Sequence, residues 1–274
     1  MESPTIELLA LLFLAGLAGG FVDSIAGGGG LISVPVLLAT GMPPVNALAT
    51  NKAQAMFGSF TAMRSYAQKG HVHLNDMKFA IAFTFVGSAV GTLLVQFLDP
   101  NVMMQVIPFL LIAAALYFAF GPRMGDLDRH HLMNATAFYL VFGLSLGFYD
   151  GFFGPGTGSF WTLAFYAVLG FSMLKATAHT KVVNFTSNFA SFLFFAVAGH
   201  VLWVPAAAMA AGQLIGARLG AGMAMKHGAK LIRPVLVVVS LVITTKLIWD
   251  DPDNVLHVLV AGWLGSGWLG SGWL

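Results

Sequence analysis

The chain has 274 residues, 58% of them hydrophobic and only 9% charged, where a soluble domain carries roughly 25% charged residues. Eleven acidic and 13 basic side chains cannot cover the surface of a chain this long in water. With a mean hydropathy of +0.83, the composition excludes a soluble protein and implies an all-α polytopic membrane protein. A net charge of +2 without any basic run argues against a nucleic-acid partner, and the absence of cysteine rules out disulfides, thiolate nucleophiles and Cys-ligated metals.

A membrane-spanning helix needs about 20 apolar residues. Residues 1–7 carry Glu2 and Glu7 but no base, and no cleavage pattern follows, so no removable signal is expected. The first helix is predicted at 6–22, followed by a break at 23–30 and a short apolar piece at 31–40. Helices at 45–66, 79–98 and 102–121 complete the first half. The second half opens with a helix at 132–149, breaks at 150–159 and resumes at 160–170, then continues with helices at 173–198, 203–224 and 231–249. The tail at 254–274 repeats Gly-Trp-Leu every five residues and is either an appended scar or a local duplication, so it stands outside the fold argument.

The halves repeat. A shift of 129 residues superposes Gly41, Ala47, Ala49, Lys52 and Phe60 on Gly170, Ala176, Ala178, Lys181 and Phe189, and Gly70-His71-Val72 on Gly199-His200-Val201. The same shift carries Gly87 and Gly91 onto Gly216 and Gly220. Upstream, a shift of 127 pairs Gly20-Phe21-Val22-Asp23 with Gly147-Phe148-Tyr149-Asp150, and Gly27 with Gly154. Alanines coincide by chance, but a membrane Asp and a membrane Lys rarely do. The expected organisation is an N-terminal repeat at 1–124 and a C-terminal repeat at 125–253.

Basic residues set the orientation. Arg64, Lys69 and Lys78 flank one loop, Arg123 and Arg129 a second, and Lys226, Lys230 and Arg233 a third, while the connections around Asp99 and His200 hold no Lys or Arg. Cytoplasmic loops carry the Lys/Arg excess, so all three basic loops belong inside. That requires each broken segment to enter and return on one side, leaving three ordinary spans per half and inverting the second half relative to the first. Inverted repeats with discontinuous helices at their interface are a transporter architecture.

The candidate site follows from the polar residues at membrane depth. Asp23 and Asp150 occupy matched positions, where each reads either as the N-cap of the next segment or as an ion-coupling group in the bilayer. Gly27, Gly28, Gly29 and Gly30, with Gly154, Gly156, Gly158 and Ser159, read as substrate-lining backbone, because unwound chain at this depth lines a cavity or is buried in protein and helix-starting N–H groups suit an anion. Their other reading is close helix packing through small residues. Lys52 and Lys181 lie early in matched helices, beside Asn51 and Gln54 in one and His179, Thr180 and Asn184 in the other. They suit a small oxyanion, or they snorkel to the interface. Thr186, Ser187, Asn188 and Gln213 read as interhelical hydrogen-bond partners, and Arg218 as structural. Nothing in the pattern calls for a cofactor or a metal: His71-x-His73 offers two imidazoles, but no acidic or Cys partner stands at ligand spacing. Glycine-rich faces would serve a homodimer as well as intrachain packing.

These residues also carry a resemblance. Gly20-Phe21-Val22-Asp23-Ser24-Ile25-Ala26-Gly27-Gly28-Gly29-Gly30-Leu31 followed by Ala47-Leu48-Ala49-Thr50-Asn51-Lys52 resembles the N-terminal signature of the TauE/SafE family. Its C-terminal counterpart resembles Gly147-Phe148-Tyr149-Asp150-Gly151-Phe152-Phe153-Gly154-Pro155-Gly156-Thr157-Gly158-Ser159 and Lys175-Ala176-Thr177-Ala178-His179-Thr180-Lys181. The resemblance covers nearly all of 8–250. It implies a secondary transporter of the bacterial inner membrane, an exporter of sulfite, sulfoacetate or a related organosulfonate. A passive anion channel is the alternative in the same class. An intramembrane hydrolase with Ser159 as nucleophile and His179 as base is the alternative from another class.

Overall fold

The computed structural model describes residues 4–120, 130 and 132–227, and every described element is helical. The first half contains α1 (Ile6–Ala26), α2 (Gly30–Ala39), α3 (Pro44–Gln68), a 3₁₀ turn (Leu74–Met77), α4 (Lys78–Val95) and α5 (Pro100–Phe120). The second contains α6 (Ala135–Phe152), α7 (Thr157–Ala167), α8 (Met173–Val197) and α9 (Trp203–His227). The predicted helix at 231–249 and the tail at 254–274 lie outside the described residues.

Three stretches are long and apolar enough to cross a membrane: Ile6–Ala26, Leu74–Val95 and Ala135–Phe152. Helices α3, α8 and α9 have 25 residues each, about 38 Å at 1.5 Å per residue, also enough to span. Their apolar content is diluted by a buried polar stripe on α3 and α8. The molecule is correspondingly inside out: Leu14, Phe79, Val90, Leu93, Val141 and Leu219 are exposed, whereas Lys52, Gln54, Thr180 and Lys181 are buried. Such an apolar exterior requires lipid contact, and the protein is a multi-pass protein of the membrane.

The breaks are shorter than the sequence suggested. Both aspartates lie inside helices, because the i→i−4 ladder continues past them until a glycine with positive φ ends it. Gly27 (φ 75°) donates its N–H to Asp23 O at 2.8 Å, and Gly154 (φ 88°) donates to Tyr149 O at 3.2 Å. The N-cap reading of Asp23 and Asp150 is therefore wrong: the N-cap positions of α2 and α7 belong to Gly29 and Gly156. A left-handed φ costs glycine nothing and other residues about 1–2 kcal/mol, so the glycines decide where each helix stops.

Contacts at the helix ends fix the directions. Asn46, at the start of α3, donates to His200 O beyond the end of α8 at 2.9 Å, so α3 and α8 are antiparallel. Gly16 and Gly20 of α1 meet Met209 and Gln213 of α9 in rising order, so α1 runs parallel to α9. Starting from the His200 face, α1 goes inward and α2 returns to the same face to begin α3. The second broken segment does the same from the opposite face, where Leu132 N–H donates to Val168 O at 2.9 Å and closes the start of α6 onto the end of α7. Along the chain, α1 thus begins and α2 ends near His200, and α6 begins near the end of α7.

Each broken helix packs on the other half. A Cβ built on Gly216 would strike Leu17 O and one on Gly220 would strike Phe21 O; in the other half, one on Gly87 would strike Leu144 O and one on Gly91 Phe148 O. These are the same contacts under the repeat shifts, so the paired glycines exist to let α9 ride on α1 and α4 on α6 at backbone distance. Two apolar clusters result, one around Leu12, Leu37, Leu48 and Phe195 and another around Tyr66, Phe138, Trp161 and Phe165, with the polar residues of α3 and α8 between them. Gly216→Ala should lower the melting temperature in detergent by about 2–10 °C, from about 1–3 kcal/mol of overpacking. Gly222→Ala, where an added Cβ meets nothing within 4 Å, should leave it unchanged or slightly raised.

Candidate functional site

The two breaks lie against each other. A Cβ on Gly27 would fall on the Gly158 backbone, and one on Gly30 would come to 3.3 Å from Pro155 Cα. Ser159 Oγ donates to Ala26 O, tying the first turn of α7 to the end of α1. In this conformation Gly27 and Gly158 face protein backbone at distances only glycine permits, and Gly30 faces it at a distance tight for any larger residue. Gly28, Gly29 and Gly156 are buried beside them, and Gly154 leaves just the space that the Lys52 ammonium fills.

Around this crossing sit the charges. Lys52 Nζ donates to Asp150 Oδ1 at 2.6 Å, and Ser187 Oγ donates to Asp150 Oδ2. Lys181 Nζ donates to the Asp23 backbone oxygen and lies 3.5 Å from Asp23 Oδ2. Each lysine is neutralised by the aspartate of the other half, so the four charges balance. Desolvating an unpaired ion costs several kcal/mol and removing one partner of a buried pair typically 3–5. Snorkelling is excluded for both lysines, whose side chains are at most 2% exposed. The Phe60–Phe185 ring contact at 5.3 Å sets the register of the antiparallel pair. It staggers the two lysine backbones by up to about 18 Å along the helix axes, so they form two stations rather than one clamp.

Hydroxyl and amide groups follow the same duplication. Ser33 Oγ donates to Gly29 O at 3.0 Å and to Asn51 Oδ1 at 2.6 Å. Thr162 Oγ1, its equivalent under the 129-residue shift, donates to Gly158 O at 2.8 Å and meets Thr180 Oγ1, the equivalent of Asn51, at 3.1 Å. Gln54 Nε2 also donates to Asn51 Oδ1, at 2.9 Å. Among the buried side chains, Gln54 Oε1 and Asn184 Oδ1 have no hydrogen-bond partner. An unsatisfied buried acceptor costs about 1–3 kcal/mol, which makes both amides available to a ligand with donors.

The remaining predicted residues are placed differently. His179 is packed between Phe165 and Phe171, with Nδ1 2.8 Å from Lys175 O, and it lines an open cavity of about 470 Å³ with His71, His73, Asp76, Ser172 and Lys175. Since Ser159 Oγ engages Ala26 O and His179 Nδ1 engages Lys175 O, neither contact is the nucleophile–base pair of a hydrolase. Arg218 is exposed on α9. Sequence reasoning passed over Ser33 and Thr162 as a matched pair and gave Ser187 only a generic role; the 129-residue shift was the signal available for the first two.

The family model described as sulfite exporter TauE/SafE matches residues 12–247. The chain belongs to the TauE/SafE family. A probable membrane transporter protein of Haemophilus influenzae is 50% identical over 246 residues, covering 90% of this chain and 96% of its own. The probable membrane transporter protein YfcA of Escherichia coli K12 is 47% identical over 97% of this chain and 96% of its own, and YunE of Bacillus subtilis, also a probable membrane transporter protein, is 24% identical. No solved structure matches the chain. This TauE/SafE member is a membrane transporter of the bacterial inner membrane, and its relatives are named as transporters rather than enzymes.

The doubly used Asn51 gives a direct check on the polar layer. Asn51→Ala should cost about 2 kcal/mol, because it leaves the Gln54 amide without its acceptor and leaves Ser33 only its bond to Gly29 O, while Thr180→Val, which removes one hydroxyl contact, should cost about 1. Melting temperatures of the two purified variants measure the difference.

Proposed function

We propose that the chain is a secondary transporter that exports a small sulfur-containing anion, such as sulfite, sulfoacetate or a related organosulfonate, by alternating access of two inverted repeats spanning 1–124 and 125–253. The observation that carries the reading is the reciprocal exchange of charges at the breaks: Lys52 with Asp150, and Lys181 with Asp23. Antiparallel α3 and α8, broken segments opening to opposite faces, and glycine contacts repeated in both halves support the inverted duplication. Charged groups inside a membrane protein mark substrate or ion pathways, and discontinuous helices at the repeat interface place such a pathway at mid-membrane.

On this reading Gly27, Gly28, Gly29, Gly30, Asn51 and Lys52 with Gly154, Gly156, Gly158, Ser159, His179 and Lys181 line the substrate path. Asp23 and Asp150 exchange the coupling ion. The packed glycines correspond to a closed state, and rocking one half against the other separates the breaks. The anion then replaces a carboxylate as a lysine's partner, which explains why the site is charged yet balanced when empty. The sulfur-anion class and the outward direction rest on the family's description, with which a lysine- and amide-lined site is compatible.

Thermal stabilisation against sulfite, sulfate, thiosulfate, sulfoacetate, taurine, phosphate and acetate tests the ligand class, because a bound ligand raises the melting point by linkage. The sulfur oxyanions should stabilise the protein and acetate should not; a flat response across the panel would sink the anion reading. In proteoliposomes the flux of a stabilising anion should saturate and show counterflow, whereas a passive channel would do neither. Collapsing an imposed pH gradient should abolish accumulation if the aspartates carry protons.

A further inference from the structure

The two repeat-related charge pairs are built unequally. Asp150 is held from two sides, by Lys52 at 2.6 Å and by the Ser187 hydroxyl, and its side chain is 6% exposed. Behind it runs a chain of hydroxyls: Ser88 Oγ donates to Ser187 O at 2.8 Å, and Thr92 Oγ1 donates to Ser191 Oγ at 2.8 Å and to Gly151 O at 3.2 Å. The 129-residue shift shows what stands at these places beside Asp23. Ser187 becomes Gly58, Ser191 becomes Ala62, Ser88 becomes Ala217 and Thr92 becomes Ala221. All four hydroxyls are lost.

Among the described residues, Asp23 accordingly has no hydroxyl donor of this kind. The space at Gly58 is filled by the Gln213 side chain, against which a Cβ would collide at Cγ, and Gln213 Oε1 is itself buried without a partner. The Lys181 ammonium takes the backbone oxygen of Asp23, which leaves the carboxylate at 3.5 Å with a side chain 15% exposed. A carboxylate with a direct ammonium and a hydroxyl is hard to displace. One that holds its lysine across 3.5 Å is a weak competitor for it. Lys181 also lies on the helix whose preceding turns, through Lys175 and His179, line the cavity of about 470 Å³ next to the basic loop at 69–78, so the loosely held pair lies toward a face that carries an opening.

We propose that the duplicated site has divided its labour: Lys52–Asp150 is a fixed fastening between the halves, and Lys181 is the residue that receives the transported oxyanion, with Asp23 its resident competitor. This rests on the anion-transport reading and narrows it to one station, reached from the face that carries the basic loops.

The test uses the full-length protein in detergent with sulfate as probe, and compares Asp23→Asn, Asp150→Asn, Ser187→Ala and Lys181→Met. Without any anion, Asp150→Asn and Ser187→Ala should lose at least about 5 °C in melting temperature, and Asp23→Asn should lose clearly less than Asp150→Asn, because Lys181 keeps the Asp23 backbone oxygen when the carboxylate is replaced. With sulfate, Asp23→Asn should bind about tenfold or more tighter than wild type, because the competing carboxylate is gone. Ser187→Ala should bind within about threefold of wild type, and Lys181→Met should not respond. A destabilised Asp23→Asn beside a stable Ser187→Ala would overturn the division, as would sulfate affinity unchanged in Asp23→Asn. If Asp150→Asn does not fold, that is the loss a fastening predicts, and Ser187→Ala carries the comparison. A wild type silent to sulfate and to the other anions overturns the transport reading, while the melting temperatures still decide whether the pairs are unequal.

Discussion

A lysine buried in the interior of a membrane protein needs a counter-charge at contact distance, and here each lysine finds it only by reaching into the other half. Lys52 on α3 takes Asp150 from α6, and Lys181 on α8 takes Asp23 from α1. Desolvation makes the alternative expensive by several kcal/mol per ion, so these pairs constrain everything around them. The aspartates must stand on the last turn before each break, the breaks must meet, and α1 and α6 must each leave their own half to lie against α9 and α4. The glycine ladders along those helix pairs are the packing consequence: a helix can be carried across to the other half only if backbone meets backbone without side chains between.

The breaks serve the same constraint. A continuous helix through Asp23 would carry the chain to the far face, so that α3 would begin there and not beside His200, where Asn46 is bonded. A glycine with positive φ at Gly27 or Gly154 ends the helix just past the aspartate and turns the chain back. The short α2 and α7 that follow do not need to span; they need to bring Ser33 to Asn51 and Thr162 to Thr180, which settles the backbone oxygens of Gly29 and Gly158. The polar layer between the two apolar clusters is therefore satisfied largely from within, with Gln54, Asn184 and Gln213 among the exceptions.

Much of this was legible in the sequence because membrane chains write their exceptions plainly. Helix positions followed from charge-free runs, and the candidate charges from the rarity of residues such as Asp23, Lys52, Asp150 and Lys181 at membrane depth. The extent of α1 and α6 was misjudged, because an aspartate in an apolar run looks like a boundary, whereas only glycine's dihedral freedom ends the helix. The pairing of each lysine with the opposite aspartate was not legible either. Sequence periodicity reports which residues are equivalent, not which residues touch, and equivalent residues in an inverted arrangement contact each other's partners rather than their own. The inequality of the two pairs lay in the alignment all along, as Ser187 against Gly58, but small polar and small apolar residues look interchangeable until a carboxylate is placed beside them.

The crossing of α1 onto α9 also bears on how the protein is made. The chain enters the membrane from its N-terminus, so α1 is inserted first and its glycine-lined face finds its partner only when α9, the last helix described, arrives. Lys52 likewise waits for Asp150. Until the second half is inserted, the first therefore holds an unpaired lysine and an uncovered helix face, and the order of synthesis runs opposite to the order in which stable contacts close. Truncation anywhere before α9 leaves α1 without the glycine-lined surface on which it packs.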